Sequence, residues 1–326
     1  MTPRVALMLG DPAGVGPELV AKLLADPEAS RAAEITIVGD PRVLEAGMEI
    51  AGVGTSTAMG RPGLPGLVEQ SARGFVRGEA TAESGHYIFA TFRKALDLAR
   101  EGKVDALCFA PLNKTSLHLA GMRHEDELRW LADELGYRGP TSELNVLDEL
   151  WTARVTSHVP LKDVAGLLSP ERIVESVELL ASALQAAGKA RPRIAVCGLN
   201  PHAGDNGNFG REEIEVITPA VRRAQTDAYS VEGPIPADTV FVRARAGEFD
   251  AVVTMYHDQG QIAMKLMGFD RGVTVHGGLP LPVTTPAHGT AFDIVGKNKA
   301  NLGAMRNAFL IACRMGAQTA AARPTV

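Results

Sequence analysis

Short runs of apolar and β-branched residues recur along the chain, separated by longer stretches whose apolar positions return every three or four residues. Val5–Leu9, Ile35–Val38, Ala106–Ala110, Ala153–Thr156, Ile194–Gly198 and Ala251–Met255 are the short runs. Strand-length runs alternating with helical period predict βαβ units around a mostly parallel sheet. Between two of them, residues 169–188 carry the signals of a helix in order: Ser169 at the cap, Pro170 in the first turn, and Gly188 as the stop. Ile173, Val174, Val177, Leu180 and Leu184 supply its apolar face. A Gly/Pro turn and a second helix, Leu302–Met315, close the chain. The fold class expected is therefore α/β.

The Gly/Pro-rich stretch 52–66 reads as a surface loop or lobe edge. Two lobes are expected, residues 1–120 with 285–326 and residues 121–284, because the last segment reads as a return to the first lobe.

Composition narrows the function more than the fold. A chain of 326 residues has room for two α/β lobes, each with a core. With 45% hydrophobic and 22% charged residues, disorder, collagen and coiled coil fit poorly. The net charge is −5, with Lys and Arg spread along the sequence, which removes the electrostatic footprint of a nucleic-acid binder. Cys108, Cys197 and Cys313 stand far apart in apolar contexts and read as buried thiols in a reducing compartment. The apolar run in MTPRVALMLGDPAG is too short for a signal peptide, and no window approaches the ~18 apolar residues of a membrane span. A cytoplasmic protein with no membrane or nucleic-acid partner is expected.

Three of the eight histidines share a placement. His158, His202 and His257 each stand at or just past the end of an apolar strand. In open α/β sheets ligands bind outside the carboxyl ends of the strands, and three convergent imidazoles there suit a divalent cation with open positions, which is a catalytic arrangement. Taken singly, each histidine also fits a hydrogen-bonded loop residue.

The words around these histidines are more specific. GDPAGVGPE (10–18), APLNK (110–114), SHVPL (157–161), CGLNPHAGDNGNFGREE (197–213), GPIPADTVF (233–241), MYHDQG (255–260) and HGTAFDIVGKNKAN (288–301) occur in this order. Together they closely resemble the 4-hydroxythreonine-4-phosphate dehydrogenase (PdxA) family over essentially the whole chain. The resemblance implies two α/β/α lobes with a central cleft, like isocitrate and isopropylmalate dehydrogenases. It also implies a homodimer with a shared active site, whose second lobe holds the metal histidines and the dimer contacts.

The resemblance assigns the metal role to His158, His202 and His257, with zinc foremost and magnesium, cobalt or manganese as alternatives. It places NAD on the loop bearing His288, Gly289, Thr290 and Asp293, where an acidic side chain can accept from ribose hydroxyls. Substrate contacts are expected from His124, Lys265 and Thr274, and proton transfer or orientation from Lys265 and Asp238. Asp258 and Gln259 would orient the metal site. GDPAGVGPE fits neither common nucleotide-loop spacing and reads as a strand-to-helix turn in which Pro17 and Glu18 open the helix.

The implied reaction is NAD-linked oxidation of a β-hydroxy carboxylate followed by loss of carbon dioxide. Two departures bear on the substrate. Val283 stands where the family usually has an arginine that binds substrate, and Thr274 where an asparagine is usual. The loop at 122–127 is acidic, with Glu125, Asp126 and Glu127, and would repel a phosphate unless those side chains point away. The alternatives kept open are a dehydrogenase of the same family acting on 4-phospho-threonate, 4-phospho-erythronate or a cis-dihydrodiol carboxylate, and, in another class, a metal-dependent hydrolase or a ligand-binding regulator.

Overall fold

The computed structural model describes residues 2–54 and 66–322, so most of the expected 52–66 loop lies outside the described residues. The chain divides into two units, Met1–Gly139 with Val273–Val326, and Pro140–Gly272.

Unit 1 is built on β1 (Arg4–Met8), β2 (Glu34–Gly39), β3 (Gly66–Glu69) and β4 (Ala106–Phe109), with β10 (Val273–Gly277) and β11 (Val283–Pro286) returning from the end of the chain. Their order is β3-β2-β1-β4-β11-β10, parallel except for β10 against β11. The apolar runs are buried along their whole length, Val5 to Leu7 and Ala106 to Cys108 each at 0% exposure, which is why they lack polar alternation. Helices α1 (Gly16–Ala25), α2 (Pro41–Ala51), α3 (Ala82–Arg100), α4 (Lys114–Leu119), α5 (Glu127–Glu134) and α9 (Gly303–Ala322) belong to this unit. Pro17 and Glu18 do open α1.

Unit 2 carries β5 (Ser142–Leu147), β6 (Leu150–Arg154), β7 (Arg193–Cys197), β8 (Ser230–Ile235) and β9 (Ala251–Thr254) in the order β5-β6-β9-β7-β8. Only the β5–β6 hairpin, turned at Asp148, is antiparallel. Helix α6 (Pro170–Ala186) starts and stops as expected: the Ser169 hydroxyl accepts from the Arg172 N–H and Gly188 takes φ +98°. Helices α7 (Ala237–Arg245) and α8 (His257–Gly268) follow β8 and β9. A core including Ala195, Cys197, Val240, Phe241, Val252 and Met264 fills this unit. Burial pushes the thiols of Cys108 and Cys197 up to about 12, consistent with inert core cysteines.

Both expected lobe boundaries move. The segment after residue 120 stays with unit 1 because Trp130 of α5 packs its ring 4.9 Å from Phe89 and 5.7 Å from Phe92 of α3, and Glu134 pairs with Arg93 at 2.9 Å. The return comes at Val273 rather than 285, because β10 and β11 are strands of the unit 1 sheet. Thr274 is therefore a unit 1 residue. The strand expected at Ala153–Thr156 runs instead from Leu150 to Arg154, pulled back by its hairpin with β5. At the amino-terminal ends of parallel strands in each unit a buried aspartate grips the neighbouring strand: Asp105 takes the Arg4 guanidinium and Asp250 the Arg193 guanidinium, each at 2.9 Å.

Candidate active site

The histidines of unit 2 sit where three adjoining parallel strands end. β6, β9 and β7 are neighbours, and His158, His257 and His202 follow them within a few residues. His257 is the first residue of α8, its Nδ1 2.7 Å from Asp258 Oδ1, an arrangement that fixes the ring. The His158 and His257 rings are neighbours, with centroids 5.7 Å apart and planes tilted by 45°.

His202 lies on a turn of unusual backbone. His202, Ala203, Gly204, Asp205 and Asn206 have φ of 54, 51, 80, 41 and 56°. Left-handed backbone costs a non-glycine residue about 1–2 kcal/mol, so something must hold the turn. The buried carboxylate of Glu213 does: its Oε1 accepts the N–H groups of Leu199 and Asn200, both at 2.7 Å, and its Oε2 takes the Asn200 amide at 3.0 Å. A Cβ at Gly204 would stand 2.6 Å from that Oε2, so only glycine fits. The turn carries the His202 ring outward against Phe209, centroids 6.2 Å apart. Among the described residues the three histidines do not form a set whose ligand atoms all lie within 4.8 Å of one another.

Gln259 joins two of the strand ends. Its Oε1 accepts the Met255 N–H at 2.7 Å, and its Nε2 donates to the Gly198 carbonyl at 2.9 Å. Behind the hairpin, the Arg154 guanidinium, 8% exposed, donates to Glu143 at 2.7 Å, Asn145 at 2.8 Å and Ser157 at 2.9 Å, so the residue before His158 is tethered. Lys265 projects from α8 and Asp238 from the first turn of α7, both exposed.

In unit 1 the expected cofactor loop meets two of the other quoted words. β1 and β4 are adjacent while their chains continue to opposite sides, the kind of switch point where α/β sheets open a crevice. There the Asp11 N–H donates to the Pro111 carbonyl at 3.0 Å, and the Val15 N–H donates to the Thr290 carbonyl at 3.1 Å. Asp11 is buried, which pushes its carboxyl up; the Ala13 N–H at 2.9 Å and the Ser116 hydroxyl at 3.0 Å work against that. A Cβ on Gly14 would lie 2.8 Å from the Thr290 side chain, so the approach of the two loops requires glycine. Glu18 and Lys22 grip the backbone of Ala300 at 3.0 and 2.8 Å, anchoring the far end of the loop. The other face is open: a Cβ on Gly289 meets nothing within 4 Å, and Asp293 is exposed. His288 turns its Nδ1 toward the Gly289 carbonyl at 3.0 Å. A braced turn with one glycine facing open space fits a dinucleotide.

The acidic loop divides its roles. Asp126 is the cap of α5, accepting from the Arg129 N–H at 2.8 Å; Glu125 is exposed; and Glu127 is mostly buried. His124 Nε2 stands 3.6 Å from Asp133 of the same unit. Sequence reasoning singled out neither Glu213, Arg154 nor His276. The buried aspartate Asp11 was read only as part of a turn. An unbroken strand pattern with a histidine inside it, VTVHG, was the available signal for His276.

Fold and residues together define an α/β enzyme with a braced turn open on one face in one unit and three histidines just past neighbouring strand ends in the other. The family model described as pyridoxal phosphate biosynthetic protein PdxA matches residues 31–312. A Pseudomonas aeruginosa protein carrying the provisional name 4-hydroxythreonine-4-phosphate dehydrogenase 2 is 56% identical, covering 96% of this chain and 97% of that one. D-threonate 4-phosphate dehydrogenase of Cupriavidus necator is 38% identical, with 98% of each chain covered. The crystal structure of 4-hydroxythreonine-4-phosphate dehydrogenase from Klebsiella pneumoniae superimposes with a TM-score of 0.83 at 36% identity, over 97% of this chain and 98% of that one. The chain belongs to the PdxA family, whose members are dehydrogenases. Among the described residues no helix is long and apolar enough to cross a membrane.

Proposed function

We propose that the chain oxidises the secondary alcohol of a β-hydroxy carboxylate with NAD and a divalent metal, zinc foremost, and that the product then loses carbon dioxide. The observation that carries this is the delivery of three imidazoles by the carboxyl ends of three neighbouring parallel strands in a chain of a dehydrogenase family. The His158 and His257 rings lie 5.7 Å apart, and His202, exposed at the end of the neighbouring strand, would complete the set. Bound there, the cation supplies Lewis-acid polarisation of substrate oxygens.

The chain's own residues do the rest. Asp258 holds the His257 ring, and Gln259 holds the spacing of the two strand ends. Lys265 offers a cation to the substrate carboxylate, and Asp238 accepts the hydroxyl proton. His124 and Thr274 are further substrate contacts. His288, Gly289, Thr290 and Asp293 receive NAD, the acidic side chain disfavouring a 2′-phosphate. NAD held on that loop would accept the hydride from the carbinol carbon, Asp238 would take the hydroxyl proton, and the electron pair of the bond broken to the departing carbon dioxide would stay on the product as an enolate until a proton is returned to it. A cytoplasmic homodimer with a shared active site, and no nucleic-acid or membrane partner, completes the reading.

The names of the relatives point to four-carbon hydroxy acids bearing a phosphate. The test is NADH formation by the zinc-loaded protein on 4-hydroxythreonine 4-phosphate, 4-phospho-threonate, 4-phospho-erythronate and a cis-dihydrodiol carboxylate. Turnover of at least one, abolished by chelation and restored by zinc, is expected. Absence of NADH from all four would overturn the reading in favour of a hydrolase or a ligand-binding regulator.

A further inference from the structure

The strands that lead to the candidate metal histidines begin at a cavity. Leu150 opens β6, Arg193 opens β7 and Asp250 immediately precedes β9, and all three line a cavity of about 570 Å³ at the amino-terminal ends of these strands. His158, His202 and His257 follow the carboxyl ends of the same strands. Strands of four or five residues, rising about 3.3 Å per residue, hold the two ends roughly 15 Å apart. The cavity lies wholly within unit 2. Its volume falls among small-molecule sites, which span about 300–1,000 Å³.

The walls combine two kinds of surface. Leu147, Leu150, Ala244 and Phe249, all buried, form an apolar floor. Four cations stand around it, Lys189, Arg193, Arg245 and Arg271. Three carboxylates, Asp148, Glu149 and Asp250, oppose them, which leaves one positive charge in excess. Asp250 takes Lys189 at 2.8 Å and Arg193 at 2.9 Å, and Asp148 stands 3.2 Å from Arg271. Arg245 differs from Arg243, two residues earlier on α7, which donates to Glu248 at 2.8 Å and to Glu232 at 2.9 Å. Among the described residues no carboxylate pairs with the exposed Arg245, not even Glu149, which is itself exposed on the hairpin turn.

We propose that this cavity binds a small monocarboxylate with an apolar body, its carboxylate on Arg245 and its body over the floor that includes Leu150 and Phe249. A guanidinium presents five N–H donors in a planar fork that matches a carboxylate. The excess charge selects the ligand class. A monoanion neutralises it, whereas a phosphate monoester brings a second negative charge beside Asp148 and Glu149. An apolar amino acid, being zwitterionic, leaves the excess in place. The site is independent of the reaction at the histidines.

The probe is para-fluorohydrocinnamate, titrated into the full chain and followed by its fluorine resonance, with its amide and para-fluorophenylalanine as comparators. A Kd of about 1 mM or tighter is expected for the acid, with each comparator about tenfold weaker, the scale of one lost charge-assisted hydrogen bond. Arg245→Met keeps the aliphatic stem and should weaken the acid about tenfold, while Arg245→Lys, which keeps the charge without the fork, should fall between. Arg191→Met removes an exposed cation outside the cavity and should leave the affinity unchanged. Chelating the metal should also change nothing, because cavity and histidines stand at opposite ends of the strands. A Kd above about 10 mM, or a comparator that binds as tightly as the acid, would overturn the site. So would an affinity that survives Arg245→Met, falls equally in Arg191→Met, or requires added zinc.

Discussion

Replacing Gln259 by leucine isolates the link between the strand ends and the histidines. The substitution keeps the volume approximately and removes two hydrogen bonds, one from the Met255 N–H and one to the Gly198 carbonyl. Met255 is fully buried, so its N–H finds no water in exchange. An unsatisfied buried backbone group costs about 1–3 kcal/mol, and the Gly198 carbonyl adds a smaller amount because a carbonyl has a second lone pair. The expected loss is about 3 kcal/mol in chemical denaturation of the metal-free protein, or about 6–12 °C in Tm at 2–4 °C per kcal/mol. Met255 leads to His257 and Gly198 to His202, so the same change should loosen the spacing between two candidate ligands. Zinc affinity, measured by competition with a chromophoric chelator, should fall about 10–100-fold, the usual effect of removing a group that orients ligands. Loss of stability with zinc affinity unchanged within about twofold would refute the coupling of strand ends to a metal site.

Two further outcomes follow from buried carboxylates. Burial would raise the carboxyl of Asp250, but hydrogen bonds from Arg193 and Lys189 prevail and bring it down from 3.8 to about 2. A depressed carboxylate contributes stability above its unfolded pKa and loses it as pH falls through the folded one. Because Arg193 and Lys189 are about half exposed, we discount the full shift and expect Asp250→Asn to cost about 1–2 kcal/mol at neutral pH. The gap from the wild type, followed by urea titration, should shrink between pH ~4 and ~2; a gap constant down to pH ~2 would contradict the assignment. Glu213→Gln weakens the brace under the left-handed turn and should cost about 1.5–3 kcal/mol, with faster amide exchange concentrated at residues 199–206; exchange unchanged there would show that the turn holds itself.

The α/β class, six of the strands and the Ser169–Gly188 helix were legible because local rules decide them. A fully buried strand must be apolar throughout, and a helix start must supply acceptors for its unpaired N–H groups. The strand-end histidines were legible for a related reason: a polar residue just past a buried run marks where the backbone turns away from the sheet. The reading of the loop at 288–293 as a cofactor turn rests on resemblance alone, since nothing in its spacing distinguishes it from a capping turn.

Tertiary structure alone decided the rest, because it turns on pairings between residues distant along the chain. The lobe boundaries depended on Trp130 finding α3 and on β11 finding β4, which no local pattern announces. The brace of Glu213 on residues 199 and 200 appears only once the chain has turned back on itself. Val283 in sequence was an arginine lost; in the fold it is a buried residue on the strand paired with that of His276. The sequence by itself determined which residue types stand at the strand ends. Which of them face one another was settled by sheet order and side-chain alternation, which are properties of the assembled sheet and of no single strand.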